Sequence, residues 1–253
     1  MTITTRLKTT VAALALASIA SSAFAAEKSG WSYAGPTGPN KWGELSADYH
    51  LCKAGLQQSP IDLAEANALG EIPIKTNYTS GPLTILNNGH TVQANFAEGS
   101  SLTSGKAEFK LLQVHFHTPS EEAVAGKRYP MVAHLVHADG SGKLAVLGVL
   151  FEEGAANPEL TKIIDTAPSK KADPKLVSSV TIDPAGLLPA SRSVYRFQGS
   201  LTTPPCSEGV NWHVIKQPAT ASKEQIAALH KIMGDNARPL QPLHGRLVVA
   251  PSE

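Results

Sequence analysis

Gln113-Val-His-Phe-His117 is the segment whose residue types and spacing could do chemistry. In an extended strand alternate side chains share a face, so His115 and His117 project together while Val114 and Phe116 turn to the other side. A second run, Met131-Val-Ala-His-Leu-Val-His137, follows closely, and a hairpin between the two would lay His134 beside the first pair. Three neutral imidazole nitrogens with a fourth position open are the donor set of a catalytic zinc, whereas structural zinc sites are closed by four protein ligands. His137 is excluded, because a residue three positions from His134 faces the opposite side of a regular strand. Spacing alone leaves a plainer alternative open, in which these histidines are exposed or simply hydrogen-bonded.

The elements that must position these histidines are short and mostly extended. Segments 83–86, 90–96, 108–117, 131–137, 144–151, 194–197, 210–216 and 246–250 are rich in β-branched or aromatic residues and bounded by Gly, Pro, Asn or Asp. A helix is predicted over 223–233, where Ser222 and Gln225 form a capping box, Ile226, Leu229 and Ile232 share a face, and Gly234 ends the pattern. A second, weaker helix is predicted over 158–165. With 20 Gly and 18 Pro, turns are frequent and long helical bundles are disfavoured. The fold class is therefore mainly β with short peripheral helices, of the α+β kind.

A chain that is 42% hydrophobic and 17% charged can bury a core and is too apolar for intrinsic disorder. Its 22 basic against 21 acidic residues leave a formal charge of +1, without the basic excess of a nucleic-acid binder. Residues 1–25 read differently. Arg6 and Lys8 precede an apolar stretch over 11–20, and Ala23-Phe24-Ala25 offers small residues where a signal peptidase cuts. Residues 1–25 are thus expected to be a secretory signal and 26–253 one mature domain. The apolar stretch is shorter than the roughly 20 residues that span a bilayer, and no later segment is longer and uncharged, so no membrane insertion of the mature form is expected. Cys52 and Cys206 are the two cysteines of an exported chain and are expected to form one disulfide. Two thiols cannot build a Cys-rich metal site, so His and carboxylates must hold any metal.

These residues and their neighbours resemble an α-class carbonic anhydrase of the bacterial secreted type. The resemblance runs through Trp31-Ser-Tyr33, Gln58-Ser-Pro-Ile-Asp62, Asn87-Asn-Gly-His90, Gln113 to His117, Pro119-Ser-Glu121, Ala133 to His137, Leu144-Ala-Val-Leu-Gly148, Gly199 to Cys206, Trp212 and Arg238-Pro-Leu-Gln-Pro242. It covers nearly the whole mature chain. What it implies is a single domain around a large, twisted, mostly antiparallel sheet of about ten strands, with one zinc ion at the bottom of a conical cleft. It also implies the reversible conversion of carbon dioxide and water into bicarbonate and a proton.

By this resemblance His115, His117 and His134 are the zinc ligands, which agrees with the argument from strand faces. Neutral ligands leave the full charge of the ion to stabilise hydroxide. A carbonic anhydrase is the standard example of this effect, its bound water ionising near about pH 7. Val136, Val146, Leu201, Val210 and Trp212 match the apolar wall for carbon dioxide, and Thr203 the contact to bicarbonate. Thr202 matches the hydroxyl that accepts from the nucleophile and donates to a carboxylate, here Glu121. His90 matches the proton shuttle, and Tyr33, Asn88 and Gln93 the polar residues that order water along its path. Gln113 stands where an acceptor supports the first ligand.

The pattern departs at three linked positions. The residue two before the third ligand is usually Glu in this family and here is Val132; the usual His after the catalytic Glu is Glu122; the usual Tyr is Phe197. One reading is that Glu122 supplies the carboxylate missing at position 132; the other is that Glu122 faces solvent and water or a backbone carbonyl serves His134. Two alternatives to a carbon dioxide-hydrating zinc lyase also stand: a non-catalytic domain of the same fold, disfavoured by the intact histidine trio, and a secreted zinc hydrolase, disfavoured by the lack of a His-Glu-x-x-His motif. Weak ester hydrolysis could accompany the first reading. Periplasmic export is the expected location, and monomer and homodimer are equally open.

Overall fold

The computed structural model describes residues 30–252, so the leader read at 1–25 lies outside the described residues. All eight predicted β segments form, and they join one thirteen-stranded sheet. Ten strands follow one another in hydrogen-bonded order: Ala68–Leu69, Val248–Ala250, Val194–Ser200, Glu208–Ile215, Leu144–Glu153, Met131–Ala138, Ala107–His117, Val92–Asn95, Gly81–Asn87 and Ala172–Ile182. The short strands Ile74–Asn77, Ser101–Ser104 and Ala219–Ala221 pair off this path. The sheet is mixed. Leu144–Glu153 runs parallel to both Glu208–Ile215 and Ala219–Ala221, Ala68–Leu69 runs parallel to Val248–Ala250, and the other pairings are antiparallel.

The strand Ala107–His117 is not regular, and its irregularity builds the site. Phe109 and Leu111 are buried together with Val114 and Phe116 in the larger apolar core, although odd and even positions should face opposite ways. A register shift against Met131–Ala138 falls between Leu111 and Gln113, which makes exposed Leu112 the extra residue of a bulge. The bulge changes the parity of the strand. Its first half points odd-numbered residues into the core, and its second half releases Gln113, His115 and His117 to the other face.

The larger core lies on the face opposite the histidine trio and is covered by two helices, which bury Leu160, Ile163 and Leu229 against it. The helix Lys223–Met233 begins and ends where predicted, with the Ser222–Gln225 capping box formed and Gly234 at its C-cap in a left-handed conformation, φ 67°. The second helix, Pro158–Thr166, is capped by the Asn157 side chain. A smaller apolar cluster lies on the face of the trio and includes Val132, Val136, Val146, Phe197, Val210, Trp212 and Val214.

Two predicted strands are shorter than expected. The segment read over 90–96 is extended only over Val92–Asn95, because Asn88 Oδ1 accepts from the backbone nitrogens of His90 and Thr91, both at 2.9 Å, and holds His90 in a turn. The segment read over 246–250 is extended only over Val248–Ala250, since Arg246 turns its guanidinium inward onto the carbonyls of Gln58, Gln198 and Pro242.

Candidate functional site

The antiparallel register puts His115 directly opposite His134, and His117 opposite Val132. Each imidazole is then fixed through one nitrogen. His115 Nδ1 is 2.9 Å from Gln113 Oε1, His117 Nδ1 is 2.7 Å from the carbonyl of Asn236, and His134 Nε2 is 3.3 Å from Glu122 Oε2. Two acceptors are main-chain or amide oxygens and one is a carboxylate, so each bonded nitrogen carries the hydrogen and the other keeps its lone pair. The second nitrogens converge. Ligand-capable atoms of the three residues lie within 4.8 Å of one another, and His117 Nε2 is buried with no hydrogen-bond partner among the described residues.

The electrostatics favour a metal at this point. Burial, and then the neighbouring His134, push His115 down to about 3, and burial with the other two imidazoles holds His117 well below its ordinary value, so both are neutral donors. Burial also opposes charge on His134, but the carboxylates of Glu122 and Glu121 outweigh it and raise that imidazole. Burial pushes Glu121 up to about 7, against the downward pull of His134, with Glu122 adding to the rise. Glu121 Oε2 lies 3.4 Å from His117 Nε2 and 3.8 Å from His134 Nδ1 and accepts no hydrogen bond among the described residues. An orphaned nitrogen and an orphaned carboxylate oxygen on the same small space are what a divalent cation there would satisfy, so the donor set fits zinc.

Around the trio the other candidate residues assemble. Thr202 is buried and its side chain is near enough to Glu121 to oppose the rise of that carboxyl, and Glu121 Oε1 accepts from the backbone nitrogen of Arg238 at 2.9 Å. The loop that carries Thr202 is closed by the Cys206 nitrogen on the Thr203 carbonyl, 2.9 Å, and by the disulfide between Cys52 and Cys206. Cys206 sits at φ 58°, a left-handed position unusual for a residue with a Cβ. Val136, Val146, Val210 and Trp212 are buried in one cluster with Leu201 at its edge, and the Trp212 ring meets His134 edge-on at 4.9 Å. Thr203 is half-buried.

His90 stacks flat on Trp31, with ring centroids 3.7 Å apart and planes at 9°, and Tyr33 stands edge-on to it at 6.4 Å. Gln93 is the partner of His115 in the neighbouring strand and donates to Asn95 Oδ1. Asn88 spends its carbonyl oxygen on the turn around His90. His137 faces away from the trio, bonded to the Tyr78 hydroxyl at 2.8 Å and the Ala145 carbonyl at 3.3 Å. Asn236 is the residue that sequence reasoning missed. It supports His117 through a backbone carbonyl, which any residue type possesses, so no side-chain pattern marks it.

A mixed sheet carrying three convergent imidazoles on two central strands, with a buried carboxylate and threonine beside them, defines a β-sheet protein with a three-histidine cluster that could hold one metal ion. The family model described as eukaryotic-type carbonic anhydrase matches residues 37–252, and this chain belongs to that family. A carbonic anhydrase of Pectobacterium carotovorum is 42% identical over 233 residues, covering 92% of this chain and 95% of the relative. The α-carbonic anhydrase of Thermovibrio ammonificans, solved in complex with the inhibitor sulfanilamide, is similar with a TM-score of 0.81 and 44% identity, covering 87% of this chain and 99% of that one. A dioscorin solved in complex with ascorbate is also similar, with a TM-score of 0.79, 33% identity, and coverage of 87% and 97%.

Proposed function

We propose that this chain is an exported, zinc-dependent carbonic anhydrase that interconverts carbon dioxide and bicarbonate. The observation that carries the reading is the trio His115, His117 and His134, with its second nitrogens aimed at one point beside the Glu121–Thr202 pair. Zinc bound by the three imidazoles would supply a Lewis acid that makes water a nucleophile at neutral pH.

The chain's own residues do the rest. Glu121 accepts from Thr202, so the threonine hydroxyl has spent its only hydrogen and presents lone pairs to the cleft. A nucleophilic oxygen beside it must therefore donate its own hydrogen to Thr202 and turn a lone pair toward the substrate. Val136, Val146, Leu201, Val210 and Trp212 form a wall that carbon dioxide, being apolar, can displace water to reach. Thr203 would hold bicarbonate as it forms. The proton left over goes to solvent through His90, with Tyr33, Asn88 and Gln93 ordering the intervening water. Weak ester hydrolysis is expected as a side activity, since the same nucleophile attacks acyl carbon.

Export rests on the 1–25 leader pattern and accords with the Cys52–Cys206 disulfide. Among the described residues no helix is long and apolar enough to cross a membrane. The test is stopped-flow hydration of carbon dioxide by the mature chain, 26–253, after zinc loading. Turnover that disappears on chelation, returns with zinc and is blocked by a sulfonamide is expected. Stoichiometric zinc without turnover would instead identify a non-catalytic member of the fold, and turnover untouched by chelation would remove the trio from the mechanism.

A further inference from the structure

We infer that Glu122 is the positioning residue of the third imidazole, supplying from a loop the carboxylate that the strand of His134 lacks. The inference rests on the three-histidine reading above and deepens it. Val132 lies two residues before His134 on the same face, is fully buried and offers no acceptor. Glu122 is fully buried too, and both its oxygens lie 3.3 Å from His134 Nε2. Oε1 has no other partner among the described residues, and the surroundings of this side of His134 are apolar, with Val132, Phe197 and Trp212 in one cluster. A carboxylate buried there without the imidazole would be an uncompensated charge, so the pair is the arrangement that explains both groups.

The consequence for the metal is a fixed tautomer. With its hydrogen held on Nε2, His134 keeps the Nδ1 lone pair for the ion, and the carboxylate makes that nitrogen more basic. His134 is thereby bracketed by two consecutive carboxylates, Glu122 on Nε2 and Glu121 Oε2 at 3.8 Å from Nδ1. Both acidic supports of the centre hang on one short segment. Ser120 ties it, with Oγ donating to the Glu122 carbonyl at 2.6 Å and accepting from the Tyr129 nitrogen at 2.9 Å.

The experiment follows zinc release from the loaded full mature chain into excess dipicolinate, with imidazole N–H signals read by proton NMR on the same samples. Glu122→Leu is expected to lose zinc about 10- to 100-fold faster than the unaltered chain, and Glu122→Gln roughly tenfold faster. The His134 Nε2–H signal should shift or vanish while those of His115 and His117 Nδ1–H stay, a selectivity that general loosening would not give. Adding Val132→Glu to Glu122→Leu should slow release again, because it returns a carboxylate to the face of His134. Release within twofold of the unaltered chain in Glu122→Gln, which keeps the shape, overturns the inference, as does loss of all three N–H signals together. An unaltered chain that binds no zinc would instead sink the proposed function, so the two failures are distinct.

Discussion

His117 Nδ1 donates to the backbone carbonyl of Asn236 at 2.7 Å, and the side chain of the same asparagine stitches the end of the ligand strand in place. Its Nδ2 donates to the carbonyls of Phe116, 2.9 Å, and His90, 3.0 Å, while its Oδ1 accepts from the Thr118 nitrogen at 2.8 Å. One buried residue thus connects a metal-ligand candidate, the strand that carries it and the turn that carries the shuttle candidate.

Replacing that side chain separates stability from ligation. Asn236→Ala keeps the carbonyl for His117 but strands the His90 carbonyl and the Thr118 N–H, at roughly 1–3 kcal/mol for each group left unsatisfied, while the Phe116 carbonyl still accepts from the Thr91 hydroxyl at 2.7 Å. Asn236→Asp is expected to be worse, because it turns a carboxylate oxygen toward the carbonyls of Phe116 and His90. Urea unfolding should rank the chains unaltered, Ala, Asp in falling midpoint with unchanged slope. Asp as stable as Asn would show that Nδ2 makes no useful bonds.

Much of this site is legible in the sequence, for a physical reason. A period of two on a strand fixes which side chains share a face, so His115, His117 and His134 can be grouped and His137 set aside without coordinates. What is not legible is whatever backbone atoms do. The Asn236 carbonyl under His117, the Arg238 nitrogen under Glu121 and the bulge at Leu112 leave no side-chain signature. The bulge in particular is invisible to a regular-strand reading, which would place Phe109 and Leu111 on the face of the histidines. The edge strand Ala172–Ile182 escapes for another reason: it is largely exposed and polar, contains Pro174 and pairs with register shifts, so it lacks the alternation that marks the central strands.

Glu121→Gln tests the direction of the hydrogen bond from Thr202. A glutamine can turn its amide toward the threonine, which must then accept and point its own hydrogen into the cleft, the wrong way round for the nucleophile. Hydration of carbon dioxide is expected to fall on the order of 100-fold in kcat/KM with zinc retained. Thr202→Ala should cost about as much, and the double variant little more than either alone, because the two act as a unit. Losses that multiply would mean that the residues act independently.

Acid should destabilise the fold from the face opposite the histidine trio. Burial pushes His137 down to about 3 and His213 down to about 4 from an ordinary 6.5, the latter helped by the Arg196 guanidinium. Both folded values are depressed, so the unfolded chain binds the extra protons first. Stability is complete above pH 6.5 and falls as pH drops toward 4 and then 3. His137 bonds the Tyr78 hydroxyl and His213 the Ser104 hydroxyl at 2.8 Å, so protonation works against the contacts that pin these neighbours to the sheet. Urea midpoints measured at pH 7.5 and pH 5 on metal-free protein should drop by less in His137→Gln than in the unaltered chain. An equal drop would show that His137 does not titrate in this window.

Asp62 holds the hairpin that follows Glu122 and should tune zinc retention from a distance. Its Oδ1 accepts from the nitrogens of Ala64 and Ala125, both at 2.9 Å, and its Oδ2 accepts from Gly126, while Asp62 itself bridges to Ala123. Ala125 sits at φ 52°, a left-handed turn position that an alanine holds only when its surroundings impose it. Asp62→Ala removes the acceptors that impose it, which frees the turn between Ala123–Val124 and Lys127–Arg128 and with it the segment bearing Glu121 and Glu122. Because the hairpin is reached only through the backbone, the effect should be smaller than that of Glu122→Leu: release of zinc a few-fold faster, with the His134 Nε2–H signal broadened and not lost. Asp62→Asn, which keeps one acceptor oxygen, should fall between. Release from Asp62→Ala at the unaltered rate would mean that the carboxylate under His134 is held by Ser120 and the apolar cluster alone, and that the hairpin contributes nothing to the centre.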